Sequence, residues 1–282
     1  MNGFMKRYMR NYGAVAGLVI VALVVLVALC APLLYEESPW MMVASPLIPP
    51  FTDSAYPFGT DMLGRDITAG LVWGARVSLM VGLLSAGVAL LFGIAIGAIA
   101  GYCGGRIDDA LMRFTEFFQT IPQLAMAVVL VAVVGPSVYS IMGAIALVSW
   151  PPAARLVRSE FMTLKQREFV QAAIVIGQTP GRIVCTQILP NAMSPIIVSA
   201  SFMVATAILT ESSLSFLGLG DRNLMSWGFM IGAARTMIRE AWWMSVWPGV
   251  AILLTVLAIN LIGEGLNDAL NPQLRASARI GE

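Results

Sequence analysis

Between Glu116 and Arg155 the chain reads FFQTIPQLAMAVVLVAVVGPSVYSIMGAIALVSWPPAA, residues 117–154, 38 positions without a charge. A helix crosses a bilayer core with about 20 consecutive apolar residues, so this run is too long for one crossing. Gly135-Pro136-Ser137 stands near its middle. Gly-Pro interrupts a helix, and the stretch therefore reads as two helices joined by a tight turn. Four more uncharged intervals flank it. They hold 25 positions between Arg10 and Glu36, 29 between Arg76 and Arg106, 28 between Arg182 and Glu211, and 23 between Glu240 and Glu264. One span from each, added to the divided run, gives an all-α integral membrane protein with six transmembrane helices.

Composition agrees. Hydrophobic residues make up 58% of the 282 and charged residues 12%, with a mean hydropathy of +0.81. A soluble domain of this size carries roughly a quarter charged residues to face water. A net charge of +1 without a basic run gives no pull toward nucleic acid. Histidine is absent, and Cys30, Cys103 and Cys185 are widely spaced, so neither a disulfide framework nor a metal site is expected. The two lysines, Lys6 and Lys165, follow Met5 and Leu164 rather than glycine, which excludes a P-loop and an ATP site of that kind. The uncharged intervals lack the intramembrane ionisable residues of a proton-coupled carrier, and the halves show no repeat. No serine–histidine pair or other hydrolytic centre is available. The chain is not expected to be an enzyme.

These intervals divide the chain into a tail (1–12), a first transmembrane helix (13–34), an outer loop (35–76), a five-helix core (77–268) and a second tail (269–282). The core includes a cytoplasmic loop, 155–190. The first apolar region, from about Ala14 to Leu34, exceeds the 7–15 residues of a signal-peptide core, so it reads as a retained anchor. With both termini cytoplasmic, 12 Lys and Arg residues fall inside and 5 outside, while acids split 8 and 8, the asymmetry expected when basic residues set topology. In the second span Ser85, Ala89, Gly93, Gly97 and Gly101 recur every four residues. Such a small-residue face admits another helix closely, either of the same chain or of a second subunit.

The cytoplasmic loop contains Glu168-Phe169-Val170-Gln171-Ala172-Ala173-Ile174-Val175-Ile176-Gly177. Phe169 to Ile176 is apolar except at Gln171. A short helix apolar all round must be covered on more than one side: its own bundle supplies one cover, and a partner must supply the other. Ala172 and Ala173 keep it slim enough to enter a groove, and Gly177 permits a sharp stop. Thr179-Pro180 suits a new helix start with Thr179 as N-cap, continuing to Leu189-Pro190 where the fifth span begins.

At these residues the chain resembles the permease subunits of ATP-binding-cassette importers. Their hallmark is Glu-Ala-Ala, three residues, Gly, nine residues, then aliphatic, any residue, Leu-Pro. Gln171-Ala172-Ala173, Gly177 and Gln187-Ile188-Leu189-Pro190 keep that spacing, with glutamine replacing the acid at 171 and the aliphatic residue at 187. Phe58-Gly59-Thr60-Asp61, Gly64-Arg65-Asp66, the run Glu211 to Gly220, Ser226-Trp227-Gly228, Pro248-Gly249 and Asn271-Pro272 resemble motifs of the dipeptide, oligopeptide and nickel branch, in their order. The chain looks like that branch's second permease subunit.

The resemblance implies the type I importer permease fold in a bacterial inner membrane. It implies three kinds of protein partner: a homologous second permease, two ATPase subunits that carry ATP and magnesium, and an extracytoplasmic solute-binding protein. Membrane lipid surrounds the bundle. Glu168, Phe169, Gln171, Ala172, Ala173 and Gly177 would dock on an ATPase. Glu211, Ser212 and Ser213 would mark the substrate path or outer gate, with a helix end in interfacial water as the alternative. Di- or oligopeptides are the expected cargo. Nickel, a metal–chelator complex, an opine or glutathione are the alternatives within the branch, and a stand-alone carrier is the alternative outside it.

Overall fold

The computed structural model describes residue 5 and residues 8–270. Four of the 12 basic residues assigned to the inside, Lys6, Arg7, Arg275 and Arg279, and the Asn271-Pro272 pair lie outside the described residues. Among the described residues the fold is helical, with two isolated bridges, Met42–Arg65 and Thr60–Asp66, in the segment after the first helix.

Five helices are long and apolar enough to cross a membrane: α1 (Tyr12–Leu34), α2 (Ile67–Cys103), α5 (Val138–Lys165), α7 (Pro180–Leu219) and α9 (Trp243–Leu270). A sixth candidate is a broken pair, which passes the same test only when its two helices are counted as one span. α3 (Gly105–Gln119) and α4 (Gln123–Val134) meet at a bend of 79°. The sequence reading divided the uncharged run 117–154 only at Gly135-Pro136-Ser137. The chain also turns at Thr120–Pro122, because Pro122 has no N–H to continue the ladder and disfavours helical backbone at Ile121. The short elements are α6 (Glu168–Val175) and α8 (Trp227–Ala234).

Local chemistry fixes most of these boundaries. Asp66 caps α2 by accepting from the Thr68 N–H at 2.8 Å. The helix therefore starts at Ile67, ten residues before the expected 77, and Arg76 lies on it rather than in the loop. The divided run breaks where expected. Gly135 adopts φ +101°, and Ser137 and Ser140 cap α5 reciprocally. Asp221 accepts from the Val138 N–H at 2.8 Å and pins this turn from the α7–α8 connection.

The centre of the bundle is the α2–α5 pair, its most extensive helix contact. A Cβ on Gly93 would lie 2.7 Å from that of Ala153, one on Gly101 would lie 2.7 Å from that of Phe161, and one on Gly97 would strike the Ala154 carbonyl. The small-residue stripe is therefore filled by α5 of the same chain. Ser85 and Ala89 are buried in the same face. α1 packs on α9 and α2, with Gly17 against the Ala258 carbonyl and Asn11 donating to Asp268 at 3.0 Å. α7 packs on α9, α2 and α5.

The segment 35–66 folds over one end of the bundle. Asp61 accepts from the N–H groups of Leu63 and Arg65 and pairs with the Arg65 guanidinium at 2.5 Å, both side chains being buried. Trp243 on α9 donates to the Thr60 carbonyl at 3.1 Å, so the Phe58–Asp66 signature forms a clasp onto α9.

Candidate functional site

α6 leaves α5 after a two-residue link and folds back beneath it. Val170 and Ala173 are buried in a cluster with Val157, Phe161, Ile183, Ile188, Ala192 and Ile196, so one face of α6 rests on α5 and the foot of α7. The opposite edge is bare. Phe169, Ala172 and Ile174 are exposed, Val175 to 86% and Ile176 to 72%, and Glu168 and Gln171 are exposed beside them. Gln171 donates its amide to the Lys165 carbonyl at 2.9 Å, satisfying an open acceptor at the end of α5. A glutamate, acceptor-only when ionised, could not do this.

Gly177 ends the helix with φ +79°, in the left-handed region where a Cβ is strained. Thr179 occupies the N-cap position of α7, but its side chain makes no capping bond. No new helix starts at Leu189-Pro190. α7 runs unbroken from Pro180, with a π turn at Val184–Ile188 that absorbs the missing proline N–H. It extends about 57 Å from Pro180 to Leu217, roughly twice the hydrocarbon thickness, before the backbone leaves the helix at Gly218 with φ +87°. One rod thus joins the loop helix to residue 211.

At the far end, Glu211 is 2% exposed. Its Oε1 accepts from Ser215 at 2.8 Å and from Ser226 at 2.7 Å, while Oε2 has no partner. Ser226 also caps α8, accepting from the Phe229 N–H at 3.0 Å. A Cβ on Gly228 would sit within 3.0 Å of both carboxyl oxygens, and one on Gly232 would meet the Ser215 carbonyl at 2.6 Å. Glycines at these two positions let α8 lie directly on the end of α7. Trp227 fixes α8 to α2, its backbone N–H donating to Ser78 at 3.1 Å and its indole to the Leu71 carbonyl at 2.9 Å.

Glu211 therefore faces neither interfacial water nor an open cleft. Ser212 and Ser213 line a cleft of about 400 Å³ with Leu124, Phe216 and Ile252. Both hydroxyls donate to carbonyls one turn back, at 2.9 and 2.8 Å, which leaves their lone pairs for a cleft occupant. The reading of residues 211–213 as one group separates into a buried carboxyl and two cleft-facing hydroxyls. Sequence reasoning missed Ser215, Ser226 and Gly228 as the neighbours of the Glu211 carboxyl, and Gly232 as the neighbour of Ser215. The Ser226-Trp227-Gly228 motif was the available signal, but its distance of 15 residues along the chain hid the contact.

Residues 93–276 match the family of the binding-protein-dependent transport system inner membrane component, and residues 2–57 match the N-terminal TM domain of oligopeptide transport permease C. The chain belongs to this family of transport-system inner membrane components. Among relatives, it is 40% identical over 277 residues to the dipeptide transport system permease protein DppC of Alkalihalophilus pseudofirmus, covering 96% of this chain and 89% of that one. Identity is 39% to the di/tripeptide transport system permease protein DppC of Pseudomonas aeruginosa, over 98% and 93%. It is 38% to the oligopeptide transport system permease protein OppC of Escherichia coli, over 96% and 90%. The fold matches a chain of the MetNI methionine ABC transporter, solved in inward-facing conformations, with a TM-score of 0.59. That match has 17% identity and covers 73% of this inner membrane component and 98% of the other chain. The type I importer permease fold and the multi-pass inner-membrane location expected from the sequence are thereby established.

Proposed function

We propose that this permease forms half of the path of an ATP-driven importer for di- or oligopeptides, with both termini cytoplasmic. A second, homologous permease completes the path, two ATPase subunits bind ATP and magnesium below it, and a binding protein delivers the peptide from outside. The observation that carries the reading is the uncovered apolar edge of α6, Phe169, Ala172, Val175 and Ile176, at the family spacing from Gly177. Exposed apolar surface of this kind beside a sharp glycine stop fits a protein groove. The peptide cargo is supported by the relatives, which are named for dipeptides, di/tripeptides and oligopeptides.

Movement of the ATPase groove would be carried by α6 into the foot of α7 through Val170 and Ala173, and along α7 to Glu211 and α8. Alternating access then results from rigid-body motion of the bundle, driven by the different affinities of ATP for the two states. The test is co-expression with the neighbouring transport genes in cells unable to take up peptides. Labelled di- and tripeptides accumulate in an ATP-dependent way, and the chain copurifies with ATPase subunits. Uptake by this chain alone, driven by a proton or sodium gradient, would overturn the reading.

A further inference from the structure

The helix α3 has an exposed apolar edge that neither the crossings nor the loop helix explains. At 100° per residue, Ile107, Ala110, Phe114 and Phe117 share one side, and Arg106, Asp109, Arg113 and Glu116 share another. A third side is packed: Thr115 and Asp108 are buried, with Asp108 held in a bidentate pair by Arg158 of α5. The apolar side is open, Phe117 being 62% exposed, with Ile107 and Phe114 exposed beside it.

Two contacts fix the depth of α3. Asp108 meets Arg158, and Gln119 meets Arg155 at 3.0 Å. α3 meets α4 at 79°, and α4 packs back along α5, so α3 runs across α5. From Val138, at the Gly135 turn, to Arg155 is about 26 Å of helix, close to the ~30 Å hydrocarbon core. Gly101, near the end of the uncharged run of α2, packs at this same level against Arg158. α3 therefore lies crosswise at the boundary of the hydrocarbon layer.

Its sides are oriented accordingly. Phe114 and Phe118 lean on Trp150, at 5.7 and 5.4 Å, on the hydrocarbon side of Arg155. Asp109, Arg113 and Glu116 instead line an open polar cleft of about 770 Å³ with Arg155, Arg158 and Ser159. A helix with one apolar and one charged edge at this depth suits the interfacial plane.

We propose that the partner of the uncovered side of α3 is the lipid bilayer. Ile107, Phe114 and Phe117 enter the acyl region. Arg106 and Arg113 meet headgroup phosphates, and Asp109 and Glu116 face the ammonium groups of zwitterionic headgroups, so the mixed charge of this edge matches a phosphate–ammonium layer. The Thr120–Pro122 bend is then the point where the chain leaves the interface and enters the membrane. The inference uses the membrane location of the chain but not the identity of its cargo or its ATPase contact.

The test uses the assembled transporter in nanodiscs of phosphatidylethanolamine and phosphatidylglycerol. Cys30, Cys103 and Cys185 are replaced by alanine, and single nitroxides are attached at Ile107→Cys, Arg113→Cys, Glu116→Cys or Phe117→Cys. Labels at 107 and 117 should collide with dissolved oxygen more than with an aqueous nickel chelate, and those at 113 and 116 should show the opposite ratio. Shielding of 107 and 117 from both reagents would show a protein partner on this edge, and free access of the chelate would show that it faces water. Either outcome overturns the proposal. If one label disrupts assembly, the second residue of its pair gives the same reading.

Discussion

Ser226 donates its hydroxyl to Glu211 across 2.7 Å and accepts the Phe229 N–H at 3.0 Å, so one side chain both starts α8 and fastens it to the end of α7. α7 runs from its packing on the loop helix to this contact, so the link proposed above would end here, at a carboxyl that is buried rather than open to solute.

Glu211→Ala should therefore act on stability and gating rather than on peptide contact. It leaves the hydroxyls of Ser215 and Ser226 without their acceptor, at about 1–3 kcal/mol for a buried polar group. Thermal unfolding of the purified complex should fall by several degrees and maximal uptake should drop, with KM for peptide unchanged. A raised KM at unaltered stability would return Glu211 to the substrate path.

Gly97→Ala and Gly87→Ala form a matched pair. A methyl at 97 meets the Ala154 carbonyl and the Val157 Cβ, whereas nothing lies within 4 Å at 87. Overpacking of this kind costs about 1–3 kcal/mol. The first variant should lower the yield and melting temperature of the assembled complex, and the second should match the parent protein.

Asp108→Asn breaks the charged pair with Arg158 but keeps the shape of the side chain. Loss of a charge-assisted hydrogen bond costs about 1.5–3 kcal/mol, less where the guanidinium retains water, and Arg158 is partly exposed. A modest drop in melting temperature is expected, with α3 released from α5 and residues near 108 exchanging amide hydrogens faster. Unchanged exchange would show that α3 is held by its aromatic contacts with Trp150 instead.

Gly177→Ala places a Cβ at φ +79°, where space is open but the backbone is strained by about 1–2 kcal/mol. Coupled uptake should fall, and Gly177→Asn should recover part of it because asparagine tolerates this backbone better. Equal loss in both variants would mean that the missing side chain, rather than the backbone, matters here.

The crossings were legible because charge intervals measure the bilayer directly, and the Gly135 turn because its glycine and serine act on their immediate neighbours. Three features were not legible. The bend at Pro122 lay inside an uncharged run, where counting charges cannot see a change of direction. The continuity of α7 through Pro190 depends on a π turn, a backbone adjustment with no side-chain signature. Burial of Glu211 depends on Ser226 and Gly228, 15 and 17 residues further along the chain. The loop helix was legible as an element, and its buried face, Val170 and Ala173, follows from packing on α5 and α7 that only the fold defines.

The central claim, that the bare edge of α6 seats in an ATPase subunit, is tested most directly by Ala172→Arg in the complete transporter, with ATP hydrolysis and peptide uptake measured on the same preparation. A long charged side chain cannot enter a close apolar contact without a large desolvation cost. The account predicts that the ATPase subunits are lost from the purified complex, or that hydrolysis persists while uptake fails. Parental uptake with parental hydrolysis, the complex intact, would contradict it.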